Sequence, residues 1–131
     1  MKFTLKELCL NSGSYKPDPK KLEPWQKRNA EDLIRKVNAL GFPPPMKATS
    51  FARDLKKQAK TNPSAMNSSH LYFAAVDIAD PDHRLQDWLN TIEGQRALVE
   101  QGLWVEDFKY TPTWVHLQIY SVNSGNRFFI P

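Results

Sequence analysis

The stretch NSSHLYFAAVDIAD, residues 67–80, sets His70 and Asp77 at the two ends of six uncharged residues. Residues 71–79 carry the β-branched and aromatic bias of a strand or a tightly packed extended segment. Two readings of the polar ends follow. Either a buried strand lets His70 and Asp77 reach water at its ends, or the apolar run is scaffolding that holds both side chains at a metal site. The rest of the chain decides between them.

Downstream, WVHLQIYS (114–121) alternates. A strand of period two puts Trp114, His116, Gln118 and Tyr120 on one face and Val115, Leu117 and Ile119 on the other. His116 is thus expected to point away from the aliphatic face. LWVEDF (103–108) is expected to be a strand, NSGNR (123–127) a turn and RFFIP (127–131) a final edge strand. Upstream, MKATSFA (46–52) reads as a short strand. RDLKKQAKTNPSAMNSS (53–69) reads as a polar loop with about one helical turn in it.

The first half is helical. Thr4 stands before Leu5 with Glu7 three residues on, the spacing of a capping box, so a short helix over 5–10 is expected with Leu8 and Cys9 inward. Pro24 suits the first position of a second helix. Its Leu33, Ile34, Val37 and Leu40 form one stripe, and Gly41 stops it. FPPP (42–45) reads as a rigid extended connector. Asp80–Pro81 reads as another helix start, with Leu85, Trp88, Leu89 and Ile92 on one side, and QRALVEQ (95–101) as a further helix ending at Gly102. Helices lead and strands close the chain. The expected class is α+β: a small antiparallel sheet, with helices mainly from the N-terminal half and from 81–101.

The 131 residues suit one domain with its own core. Cys9 is the single cysteine, which excludes an internal disulfide, an all-cysteine zinc site and CxxC redox chemistry. Any metal must be held largely by histidine and carboxylate. No stretch has the length of a membrane span, and charge interrupts the N-terminal segment before a signal-peptide core forms, so synthesis in a cytosol is expected. The net charge of +4 comes mostly from the first half. A basic surface favours polyanions, but the basic residues are not interleaved with exposed aromatics, and a solvated cationic face rather than nucleic-acid binding is expected.

Histidine occurs only at 70, 83 and 116. A hydrolytic zinc commonly takes three ligands from His and Asp or Glu and keeps a position for water. His70, Asp77 and His116 would make that set, while His83 sits in the exposed-looking DPDHR segment.

At these residues the chain resembles a known family. SSHLYFAAVD is similar to the SxHxxGxAxD signature of the zinc D-alanyl-D-alanine carboxypeptidases, a family that includes L-alanyl-D-glutamate and DD-endopeptidases of phage endolysins and bacterial cell-wall enzymes. Ser68, His70, Ala75 and Asp77 fall on its fixed positions. The resemblance implies that His70 and Asp77 bind Zn²⁺, and that His116, in TPTWVHLQ, is the third ligand. ATSFARD resembles the family's SGYR segment and places Arg53 where an arginine holds the substrate's carbonyl or carboxylate, work that suits a planar, always-charged fork. Ser68 is expected to support a ligand by hydrogen bonding rather than to attack.

Two positions depart from the pattern. Phe73 replaces the signature's glycine, which leaves a bulky ring at a position kept small. Thr113 and Trp114 stand where family members often carry an acid or histidine before the third ligand, and neither is a general base. The nearest acids are Glu106 and Asp107. Glu106 is favoured for its longer reach, provided 103–108 and 114–120 pair as a hairpin. The resemblance implies a zinc peptidase of the peptidoglycan stem peptide or cross-link, with Trp114 walling the cleft. A monomeric phage or prophage lysis enzyme, released to the cell wall or periplasm after cytoplasmic synthesis, is an economical source. Carboxypeptidase and endopeptidase action both stay open. So does a second class, an inactive zinc-binding relative with a structural or interaction role.

Overall fold

The computed structural model describes residues 3–42, 45–61 and 68–131, apart from the side chains of Lys57 and Thr61. The FPPP connector lies partly outside these residues, as does the segment 62–67.

Helix α1 (Leu5–Leu10) starts where expected: the Thr4 hydroxyl accepts the Glu7 amide at 3.2 Å, and Leu8 and Cys9 are buried. Helix α2 (Pro24–Asn38) has Pro24 in its first turn. The capping pair there is Glu23 with Gln26, which the sequence reading did not single out. Ala30, Leu33 and Val37 form its buried stripe, and Leu40 continues it past the helix end. This single apolar stripe, packed into the core, is what a 3.6-residue period gives.

The sheet has the order β1-β2-β4-β3-β5. Its strands are β1 (Lys47–Ser50), β2 (Ala75–Ala79), β3 (Trp104–Glu106), β4 (Trp114–Gln118) and β5 (Phe128–Phe129). All neighbouring pairs are antiparallel except β3 with β5, which is parallel. The protein is therefore α+β with a mostly antiparallel sheet, and RFFIP supplies the edge strand. Val76, Ile78, Val115, Leu117 and Val105 sit in the core with Phe51, Phe73 and the α2 stripe.

Three local expectations need correction. The polar segment after Arg53 is more helical than one turn, since α3 runs Leu55–Thr61. His70 is not on an extended segment. It lies in a 3₁₀ turn, Ser69–Tyr72, and the strand begins only at Ala75. Ile92 does not continue the stripe of Leu85 and Leu89. The helix breaks after α4 (Arg84–Leu89), and the Thr91 hydroxyl accepts the Gly94 amide to start α5 (Ile92–Gln101), leaving Ile92 79% exposed. His116 does point away from the aliphatic face, whose Val115 and Leu117 enter the core, and its own face is covered too, with His116 and Gln118 buried.

Gly94 explains how closely the two helices meet. A Cβ there would lie 2.2 Å from the Trp88 carbonyl oxygen and 2.7 Å from the Leu89 Cα, so only glycine allows α5 to start against the end of α4. Asp80 anchors the same region, its carboxylate accepting the amides of Leu85 (3.0 Å) and Gln86 (2.8 Å). The Gln86 side-chain Nε2 in turn donates to the carbonyls of Thr111 and Trp114 and fixes the approach to β4.

Candidate metal centre

Asp77 and His116 are directly opposite partners in the β2–β4 register. Opposed residues of an antiparallel pair project to the same face a few ångströms apart, so the sheet itself brings this carboxylate to this imidazole. His116 Nδ1 lies 2.9 Å from Asp77 Oδ1.

His70 arrives by a different device. Ser68 caps the 3₁₀ turn by accepting the His70 amide. Phe73 then adopts φ 58°, ψ 30°, and the Ala74 amide returns to the Ser69 carbonyl at 3.0 Å. A left-handed residue with that return bond is the usual helix-ending motif, and it favours glycine. The departure at Phe73 therefore leaves the local backbone in the conformation a glycine would take. Its ring is 1% exposed and packs edge-on to Phe51 at 5.4 Å. The turn delivers His70 Nε2 to 3.3 Å from the same Asp77 oxygen.

One nitrogen, one oxygen and one nitrogen, from His70, Asp77 and His116, all lie within 4.8 Å of one another. Donors about 2.1 Å from a tetrahedral zinc are about 3.4 Å apart. The separations of 3.3 and 2.9 Å to Asp77 Oδ1 are of that size, so this group could hold a metal ion, and the donor set suits zinc. The remaining ring nitrogens fit as well. His70 Nδ1 donates to the Phe51 carbonyl at 2.7 Å, and His116 Nε2 donates to Gln118 Oε1 at 2.8 Å. Histidines that ligate metals commonly give their other ring proton to such acceptors.

The site's electrostatics follow from this crowding. Burial opposes the charge on Asp77, but hydrogen bonds from His116 and His70 outweigh it and hold the carboxyl well below the usual range. Burial likewise opposes protonation of His116, yet Asp77 beside it raises its pKa above the ordinary histidine value.

Glu106 ends β3. With Trp104 opposite Gln118 and Val105 opposite Leu117, one more step of the register sets Glu106 across from His116. Strands 104–106 and 114–118 do pair as the reading required. Glu106 and His116 both line a cavity of about 750 Å³, together with Ser68, Gln118 and Tyr120. Burial pushes the Glu106 pKa above the ordinary value. His116 works against that rise and Asp77 adds to it. Asp107 is committed elsewhere, its carboxylate accepting the Lys109 amide at 2.9 Å within the turn.

Arg53 is exposed and lines a neighbouring cavity of about 410 Å³ with Ser12, Tyr15 and Gln58. Its guanidinium donates to Ser68 Oγ at 3.2 Å, and that oxygen also accepts the His70 amide. The backbone is tied to the same place: the Arg53 amide donates to the His70 carbonyl, and Ser12 Oγ bonds both the amide and the carbonyl of Ala52. Trp114 faces a smaller recess of about 310 Å³ with Thr49, Asp77 and Thr113. His83 stands apart and donates to the Pro112 carbonyl. Sequence reading missed Ser12 and assigned no role to Gln118, although alternation had already placed Gln118 on the face of His116.

No family model matches the chain, and no curated protein is significantly similar to it in sequence. Among solved structures, the crystal structure of the Serratia marcescens L-Ala D-Glu endopeptidase ChiX is similar to it at 17% identity and a TM-score of 0.46. The match covers 80% of this chain and 93% of that one. A likeness at this level leaves the chemistry of the site to be argued from its own residues.

Proposed function

We propose that the chain is a single zinc-peptidase domain, residues 1–131, that hydrolyses an amide bond in the stem peptide or cross-link of bacterial peptidoglycan. The observation that carries this reading is the convergence of His70, Asp77 and His116 beside a cavity that also contains Glu106. The substrate class comes from the resemblance of SSHLYFAAVD and ATSFARD to the peptidoglycan carboxypeptidase and endopeptidase family. A phage or prophage lysis enzyme, or one of wall remodelling, fits that resemblance.

In this reading His70 Nε2, Asp77 Oδ1 and His116 Nδ1 hold the ion. Bound there, zinc would polarise the scissile carbonyl and acidify a water. Glu106 takes the proton from the attacking water and returns it to the departing amine. Its raised pKa brings it closer to the working pH at which one group performs both transfers well. Asp107, held in its turn, is the weaker choice. Arg53 grips a carbonyl or carboxylate of the substrate through its planar fork, and its link to Ser68 keeps it near the ligand turn. Trp114 walls the Asp77 side. Glu106 also fills the role left open at Thr113 and Trp114, which favours an active enzyme over an inactive relative.

The test is digestion of purified sacculi with one equivalent of zinc, with muropeptides read by mass spectrometry. We expect new peptide termini from wild type, none after chelation, and a loss of at least about 100-fold in rate for E106Q with zinc still bound. Intact sacculi with zinc-loaded wild type would end the reading. Full activity of E106Q would move the proton transfer to Asp107 or elsewhere.

A further inference from the structure

We infer that Gln118 is a positioning residue that dictates which nitrogen of His116 faces the metal centre, an inference that rests on the metal-dependent reading above. Gln118 is 7% exposed and lies two residues beyond His116 on the same face of β4. Its Nε2 donates to the backbone carbonyl of Tyr120 at 2.8 Å. That carbonyl can only accept, so the end of the amide facing it must be the NH₂ group. A flipped amide would set two acceptor oxygens against each other.

The orientation of Gln118 is thereby fixed, and Oε1 is the atom turned to His116 Nε2, at 2.8 Å. Oε1 also only accepts, so Nε2 of His116 carries the ring proton. In a neutral imidazole the lone pair then belongs to Nδ1. Nδ1 is the atom 2.9 Å from Asp77 Oδ1, in the group formed with His70 Nε2. A main-chain carbonyl thus sets the tautomer of a metal ligand through one amide side chain. His70 reaches the opposite tautomer by donating Nδ1–H to the Phe51 carbonyl, so the two imidazoles present different nitrogens to one centre. Because the acceptor on His116 is an amide, Asp77 remains the only carboxylate among the three converging groups and their ring-nitrogen partners.

The experiment measures zinc affinity by chelator competition in wild type, Q118L and Q118E, with ¹⁵N-histidine NMR of the zinc-loaded proteins. Wild type should show the His116 proton on Nε2. Q118L removes the acceptor and should bind zinc about 10- to 100-fold more weakly. Q118E with its buried carboxyl neutral gives its O–H to the Tyr120 carbonyl and its other oxygen to His116 Nε2, and should keep both the Nε2 proton and an affinity within a few-fold of wild type. Zinc affinity of Q118L within twofold of wild type overturns the inference, as does a Q118E as weak as Q118L or a His116 proton found on Nδ1. If Q118L does not fold, judged by melting of the metal-free protein, Q118E and the wild-type spectrum still decide. Neither readout uses a peptide. Tight zinc binding that depends on Gln118 without sacculus cleavage would sink the peptidase reading alone, and cleavage by wild type with an indifferent Q118L would sink only this inference.

Discussion

Asp77 and His116 hold each other in their charged forms, and the signs of their shifts predict a stability profile for the metal-free protein. Asp77 is depressed in the fold, so its contribution is present above its unfolded value near pH 4 and is lost as pH falls through the lower folded value. His116 is raised, so its contribution is full below about pH 6.5 and is lost as pH rises through the folded value. Thermal melts across pH 2–9 should therefore show the pair's stabilisation at its greatest between about 4 and 6.5, and D77N should flatten both flanks. Phe73 gives a second prediction. Left-handed backbone costs a non-glycine residue about 1–2 kcal/mol, whereas deleting a buried Phe ring costs about 3–5 kcal/mol. F73G should lose about 2–3 kcal/mol in urea unfolding despite its relaxed backbone. A gain in stability would mean that the ring contributes little where it sits.

At the scale of elements, the sequence was most legible where a side-chain pattern and a cap agreed. Thr4, Pro24 and Gly102 mark helix ends that the structure keeps, and the alternation of WVHLQ gave both the strand and the common face of His116 and Gln118. Patterning failed where a backbone event intervened without changing the apolar spacing. Leu85, Trp88, Leu89 and Ile92 have helical spacing straight through Thr91, yet the Thr91 cap starts a new axis there. His70 was misplaced for the same reason, because the left-handed turn at Phe73 is carried by a residue that rarely adopts it. The resemblance named the three residues that the fold brings together as a candidate site, but the pairing of Asp77 opposite His116 and the Ser12 clamp on Ala52 join residues 39 and 40 positions apart, and no local pattern encodes them. Gly94 carries the prediction at this scale. G94A would force a methyl into the Trp88 carbonyl, and we expect a loss of at least about 1–3 kcal/mol. A shift in the urea midpoint with an unchanged slope would mark it as a stability effect alone.

Across the whole molecule, the proposed ion and the fold should be linked. A ligand that binds only the native state at 100 times its dissociation constant adds about 2.7 kcal/mol. For a domain of this length that corresponds to a rise of about 10 °C in melting temperature, lost on adding chelator. H116A should melt at one temperature with and without zinc. Among the described residues no helix is long and apolar enough to cross a membrane.

Ser12 reaches forty positions along the chain to grip the main chain beside Arg53, and Phe51, the next residue back, receives the His70 ring. The loop leaving α1 thus braces Arg53, the arginine proposed to grip substrate, and His70, an imidazole of the proposed metal centre, through the same three-residue span. Damage at this remote serine would be felt as misalignment between two halves of the proposed reaction rather than as the disappearance of either.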